Sequence, residues 1–331
     1  MARRTTIACL ILVLLALTMG VVYAVRTREG HVSPRVQVAP PDHLTILYTC
    51  DTRGHINPCN CTAGVAGGLA RRKVFIEEQA APSALLVDAG NVTAGGRAWE
   101  LLEFEYLLRG YELIGYDAVN IGRREAGVAA DSLRAMRRQF PFLISANVQS
   151  TQGEPLFDPW VIVTAPGGYR VGIIGILDDS VPPDELGAGV RVAPPGETLS
   201  RMLPDLRKQV DFVVLLAFAN EKTMKALAER YYEIDVIIGG DVAQPAMEPL
   251  QVNKSFITYV TDKGKSIGRL DLAFIDGEKV VESNDITMLL EDTSDESMAA
   301  LVAELRRRQV ENNYPTEKED EEGLTRISGG A

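Results

Sequence analysis

The chain from Leu44 to Arg71 reads LTILYTC, DTRGHINPCNC, TAGVA, GGLAR. Leu44–Cys50 is a short apolar run rich in β-branched residues, a stretch rich in Gly, Pro and Asn follows, and an amphipathic helical spacing takes over from Leu69 to Gln79. That order predicts a strand, a long loop and a helix. The unit recurs: strands over Ala84–Ala89, Ala118–Ile121 and Phe142–Val148 alternate with helices over Trp99–Ile114 and Ala129–Arg138. Such a strand–helix rhythm predicts a largely parallel sheet. Trp160–Thr164 and Tyr169–Leu177, around Pro-Gly-Gly, read as a hairpin, and helix Glu197–Gln209, strand Phe212–Leu216, helix Glu221–Tyr232 and strand Val236–Ile238 continue the alternation. In the last third, Ser255–Thr261, Ser266–Ile275 and Val280–Met288 are predicted as an antiparallel second sheet, followed by a helix near Glu296–Gln309. Two sheets flanked by helices is the expected α/β architecture.

With 46% hydrophobic and 24% charged residues over 331 positions, the composition is globular, and a net charge of −11 argues against nucleic acid as a partner. Residues 1–25 read as a targeting segment: Met1–Arg4 is basic, and Thr5–Val25 is an unbroken apolar run. The chain is therefore expected outside the cytoplasm, periplasmic or at the cell surface, with that run either cleaved as a signal peptide or kept as a membrane anchor. Residues 26–43 suit a spacer, 44–292 the folded domain, and 293–331 a last helix and the acidic tail Glu317–Glu322. The Gly-rich loop Cys61–Gly68 lacks the Gly-Lys-Ser/Thr of a P-loop and the spacing of a dinucleotide fingerprint.

In open α/β sheets, chemistry gathers in loops beyond the carboxyl ends of strands. Here those loops read Asp51-Thr-Arg-Gly54, Gly67-Gly-Leu-Ala-Arg71, Val87-Asp-Ala-Gly-Asn91, Asn120-Ile-Gly-Arg-Arg-Glu125 and Asp235-Val-Ile-Ile-Gly-Gly-Asp241. In order and spacing the five blocks resemble the 5'-nucleotidase branch of the calcineurin-like metallophosphoesterases, across Leu44–Glu291. Asn57-Pro-Cys-Asn-Cys61 resembles an exported subgroup whose first loop carries Pro-Cys-x-Cys or a selenocysteine variant. The resemblance implies a four-layer α/β/β/α sandwich with two mixed sheets. It also implies a chemistry: two divalent metals bridged by an Asp and held by His, Asp and Asn, which activate a water against a phosphate ester.

Measured against that family pattern, the side chains depart at most positions. Asp51 supplies the first carboxylate, but the His of Asp-x-His is Arg53, the bridging Asp is Asn91, the ligand Asn is Arg123 and the acid–base His is Arg124. Phe218 stands where a His follows the strand Val213–Leu216, and Gly240-Asp-Val-Ala243 replaces Gly-His-x-His, leaving Asp241 and Ala243. Of three histidines, His31 and His43 lie in the spacer, so only His55 is in the domain. Two metals with imidazole ligands cannot be built from one His. No cofactor is expected. If metal does bind, as Mn, Mg or Zn, the candidates are Asp51, Asn91 and Asp241.

Arg53, Arg123 and Arg124 are expected beside Asp51 and Asp241. There they form either an ion-pair network or, with the amides of Gly67 and Gly68, an anion pocket for phosphate or carboxylate. Cys50, Cys59 and Cys61 crowd into twelve residues. Three readings stand open: a structural disulfide between Cys50 and one of the others, a thiol-redox pair, and a zinc set completed by His55. The expected function is an extracytoplasmic pseudoenzyme that has lost binuclear-metal hydrolysis and acts as a binding or thiol-redox module for a small anionic ligand or protein partner. The alternative is an active 5'-nucleotidase-type phosphohydrolase with rearranged ligands.

Overall fold

A computed structural model describes residues 38–61, 64–79, 84–261 and 263–316. The leader, most of the spacer and the acidic tail lie outside the described residues. Among the described residues, no helix is long and apolar enough to cross a membrane.

Strands in chain order are β1 (His43–Thr49), β2 (Cys59–Cys61), β3 (Gly64–Ala66), β4 (Leu85–Asp88), β5 (Ala118–Asn120), β6 (Leu143–Ile144), β7 (Val148–Ser150) and β8 (Trp160–Thr164). The remainder are β9 (Arg170–Leu177), β10 (Val190–Val192), β11 (Phe212–Phe218), β12 (Val236–Gly240), β13 (Leu250–Val252), β14 (Ser255–Tyr259), β15 (Ser266–Ile275) and β16 (Glu278–Met288). The helices are α1 (Leu69–Gln79), α2 (Ala98–Ile114), α3 (Arg123–Ala126), α4 (Ala130–Gln139), α5 (Pro195–Arg207), α6 (Glu221–Arg230) and α7 (Glu296–Glu311). One six-stranded sheet runs β16-β15-β1-β4-β5-β6 and the other β13-β14-β12-β11-β9-β8.

Alternation along the strands explains why two sheets stack. In β11, Phe212, Val214, Leu216 and Phe218 join the core that includes the first sheet, whereas Val213, Leu215 and Ala217 join a second core with Leu199, Leu203 and Leu206 of α5 and Met224 and Leu227 of α6. Successive side chains of a strand point to opposite faces, so β11 is buried on both. Each Val, Leu or Phe it hides contributes roughly 1.5–3 kcal/mol. The result is the four-layer α/β/β/α sandwich with two mixed sheets.

One expectation is corrected. The last strands do not form a separate antiparallel sheet: β14 lies parallel to β12 in the second sheet, while β15 pairs antiparallel with β1 in the first. With β4 on one side only, apolar β1 has an open edge, and the β15–β16 hairpin closes it. Register is fixed at Tyr48, whose ring lies over Gly268, where any Cβ would overlap it. Its hydroxyl contacts Thr258 of the facing sheet at 2.8 Å and donates to Asn284 at 2.8 Å. Nearer the carboxyl ends, the Asn120 amide donates to the carbonyls of Ala89 (3.1 Å) and Ile176 (2.8 Å), joining the sheets beneath the loops.

Candidate functional site

Five strands deliver their following loops to this end of the sandwich: Asp51 after β1, Asn91 after β4, Arg123 and Arg124 after β5, Phe218 closing β11 and Asp241 after β12. Of the eight described non-glycine residues with positive φ, four are Asp51 (62°), Arg53 (50°), Asn91 (67°) and Asp241 (61°). Asp and Asn tolerate the left-handed region; Arg53 holds it at a cost of about 1–2 kcal/mol, which its surroundings must offset.

The offset is visible in the bonding. Loop 51–54 is zipped to loop 90–92 by the amides of Asp51 (2.8 Å to Gly90 O), Arg53 (2.9 Å to Asn91 O) and Gly54 (2.7 Å to Val92 O). Asp51 is 2% exposed, and both its oxygens are taken. Oδ1 accepts from Arg53 Nε at 2.7 Å and from Asn91 Nδ2 at 2.8 Å, and Oδ2 lies 2.6 Å from an Arg53 terminal nitrogen. This is the two-point guanidinium–carboxylate geometry. Asn91 is engaged at both ends, because its Oδ1 accepts from the Arg124 amide at 2.8 Å.

Beneath Asn91 sits Glu125, 1% exposed, gathering the amides of Asn91 (2.9 Å), Thr93 (2.7 Å) and Gly122 (2.8 Å). Burial pushes its carboxyl up to about 7, against the pull of those three amides. Gly122 is the residue this clamp requires, since a Cβ would overlap the Asn91 amide.

The other sequence-predicted residues scatter. The Arg123 side chain faces Glu185 at 3.8 Å, and Arg124 donates to the Ala94 carbonyl at 2.6 Å. Neither pairs with Asp51, and Asp241, exposed on its loop, is not ion-paired with an arginine among the described residues; the expected shared network reduces to Arg53 and Asp51. Phe218, 3% exposed, lies against Gly240 beside Cys50, and Ala243 is an exposed loop residue. Gly67 does not offer its amide to an anion, because that amide donates to Leu289 O at 2.9 Å, and Gly68 lies tight against Pro58. Lys263 and Lys265 stand near His55; burial, and then these two cations, lower its proton affinity. The His55 Nδ1 lies 3.1 and 3.0 Å from the carbonyls of Thr52 and Arg53.

Cys50 is a buried thiol, 1% exposed, donating to Gly90 O at 3.4 Å. Burial first, then the carboxylates of Asp88, Asp51, Glu125 and Asp241, push its pKa well above the usual thiol range. The free Cys50 thiol corrects the expected disulfide. Cys59 and Cys61 lie on β2; the Cys61 side chain falls outside the description.

Metal-binding potential is decided by the donor set. Both Asp51 oxygens and the Asn91 side-chain oxygen accept hydrogen bonds from protein donors, and Arg53 and Arg123 stand at two further positions where the resemblance implies ligands. Among the described residues no group of three or more His, Cys, Asp or Glu is arranged to hold a metal ion.

Sequence reasoning missed Glu125 and a fully buried polar cluster around Arg72. The signal was present: Arg72 falls between Leu69 and Ile76 on the apolar face of α1, where a cation must have buried partners.

No family model matches the chain. The 5'-nucleotidase of Vibrio cholerae is 28% identical over 280 residues, 71% of this chain and 49% of that protein. The 5'-nucleotidase precursor of Thermus thermophilus superposes with a TM-score of 0.68 at 22% identity, covering 81% of this chain and 59% of that one. The calcineurin-like phosphoesterase YfkN of Bacillus subtilis superposes with a TM-score of 0.66 at 22% identity, covering 82% of this chain and 99% of that one. The chain spans between 26% and 54% of the curated relatives it matches. In fold and in sequence the chain is similar to 5'-nucleotidases and calcineurin-like phosphoesterases.

Proposed function

We propose that the chain is an extracytoplasmic metallophosphoesterase-fold protein whose loop face binds a phosphate-bearing anion, with the Asp51–Arg53 pair occupying the place of the superfamily's metals. The observation that carries this reading is the engagement of Asp51: three donor contacts from Arg53 and Asn91 occupy both its oxygens, with a guanidinium standing against the carboxylate as its countercharge. A guanidinium fixes the loop turn but does not acidify a water as a divalent metal does, so the site lacks the usual source of hydroxide. Arg123, Arg124, Lys263 and Lys265 supply positive charge on the loops around the pair. Binding is favoured over thiol-redox chemistry because Cys50 is sealed in the core and cannot serve as the resolving thiol.

A second reading is active phosphohydrolysis with rearranged ligands, using a divalent metal. The curated relatives favour it over loss of hydrolysis, since several of them are named 5'-nucleotidases. The backbone is left-handed at Asp51, Asn91 and Asp241, and such strain clusters at functional sites. Donor chemistry favours the first reading, and the two part on metal dependence.

Titration calorimetry of the chain with inorganic phosphate in excess EDTA tests the proposal. Phosphate should bind, and the double variant Arg123→Gln/Arg124→Gln should weaken it by roughly tenfold or more, the value of one charge-assisted hydrogen bond. Binding that requires added Mn, or no binding at millimolar phosphate, would count against it.

A further inference from the structure

Behind the loop face lies a buried cluster of one cation, one carboxylate and four hydroxyls: Arg72, Asp88, Thr49, Thr52, Tyr111 and Tyr116, each 5% exposed or less. Its proton directions follow from the chemistry. Arg72 can only donate: one terminal nitrogen reaches the hydroxyls of Tyr111 (2.8 Å) and Tyr116 (3.1 Å), the other Thr52 Oγ1 (3.1 Å) and Gly264 O (3.4 Å). A buried guanidinium needs a countercharge, and Asp88 supplies it. Asp88 can then only accept, taking Thr49 O–H (2.6 Å) and Tyr111 O–H (3.0 Å) on Oδ2 and the Gly90 amide (2.8 Å) on Oδ1. With its proton spent on Asp88, Tyr111 accepts from Thr52 at 2.7 Å, and by the same logic Tyr116 donates to Thr49 at 2.7 Å. The two tyrosines, stacked with ring centres 4.1 Å apart, thus have different clients. Tyr116 serves Thr49 inside β1, whereas Tyr111 and Arg72 hold Thr52, the residue between Asp51 and Arg53.

We propose that Arg72 and Tyr111 are positioning residues for the Asp51–Arg53 pair, holding its left-handed turn from behind through the Thr52 hydroxyl. Thr52 has both functions of its hydroxyl bound to this cluster, so the flanking residues cannot turn without unbonding a buried group. The arrangement does structurally what a metal in front of the loop would otherwise do, and it would set the geometry of the anion site, a consequence that rests on the binding reading above.

The test reads the ion pair itself, so it is independent of any ligand. In nitrogen-15 NMR of the full chain, with the Arg53 Nε–H signal identified by its loss in Arg53→Lys, the rate at which that proton exchanges with water is compared across variants. Tyr111→Phe and Thr52→Val should each accelerate exchange by about tenfold, the effect of one hydrogen bond. Tyr116→Phe, which deletes an equally buried hydroxyl from the same cluster, should change it by less than about twofold, and Thr52→Ser should restore the native rate, because the hydroxyl is the link. If Tyr111→Phe fails to fold, Thr52→Val carries the comparison alone. Equal acceleration in Tyr116→Phe and Tyr111→Phe, or no change in Thr52→Val, would overturn the assignment. A native response accompanied by no phosphate binding would leave the positioning role standing and remove only the binding reading.

Discussion

Replacing Arg53 with Met removes the guanidinium from Asp51 and keeps most of the aliphatic stem. The Asp51 side chain is 3% exposed and that of Arg53 39%, so the pair sits between a buried and a surface ion pair. Breaking a fully buried pair costs about 3–5 kcal/mol, whereas an exposed pair is worth about 0–1. Asn91 Nδ2 still donates to Asp51 after the substitution, which limits the loss. The cost should therefore be about 2 kcal/mol, because a buried carboxylate is left with one donor where it had three. For a domain of this size that corresponds to a fall in Tm of about 4–8 °C. Paired thermal melts by circular dichroism in EDTA at neutral pH measure it, with Arg53→Lys, which keeps the charge but not the two-point geometry, falling in between. A melting temperature for Arg53→Met within about a degree of the native chain would refute the idea that this pair holds the loop.

Other consequences follow from the same geometry. Glu125 has a folded-state pKa of about 7, above the usual carboxylate value, so the folded chain holds its proton more tightly than the unfolded one. Its contribution is then full below about pH 4.5 and is lost as pH rises through 7, a span of about 3 kcal/mol at most, and urea melts should show that slope in the native chain but not in Glu125→Gln. Cys50 is sealed and protonated, so in the native state it should resist alkylation by iodoacetamide and react only after denaturation, as read by mass spectrometry; fast native labelling would show that the core around Gly90 opens.

Much of the fold was legible because the strands are long apolar runs bounded by Gly-rich loops. β11 and β12 announce themselves, and the ordered loop blocks place Asp51, Asn91 and Arg123 at one end of the sheets. The destination of the last strands was not legible. Both β14 and β15 alternate acceptably for either sheet, and the choice was made by an open edge on β1 and by Gly268 beneath the Tyr48 ring, facts of tertiary packing. The site was half legible in the same sense. A basic residue two positions after Asp51 suggests a pair, and the pair forms. Arg123 and Arg124 could not be placed, because their partners, Glu185 and the Ala94 carbonyl, come from loops with no periodic signal. The cysteine cluster invited a disulfide, yet alternation along β1 turns Cys50 into the core, where Gly240 makes room for its sulfur.

The central claim concerns what neutralises Asp51. The direct measurement is the metal content of the purified chain after equilibration with Mn and exhaustive dialysis, taken together with its turnover of p-nitrophenyl phosphate. The account predicts far less than one metal per chain and no turnover that depends on Asp51. About two metals per chain, with turnover abolished by Asp51→Asn, would mean that Arg53 yields the carboxylate to a binuclear centre and that the chain hydrolyses phosphate esters as its relatives' names suggest.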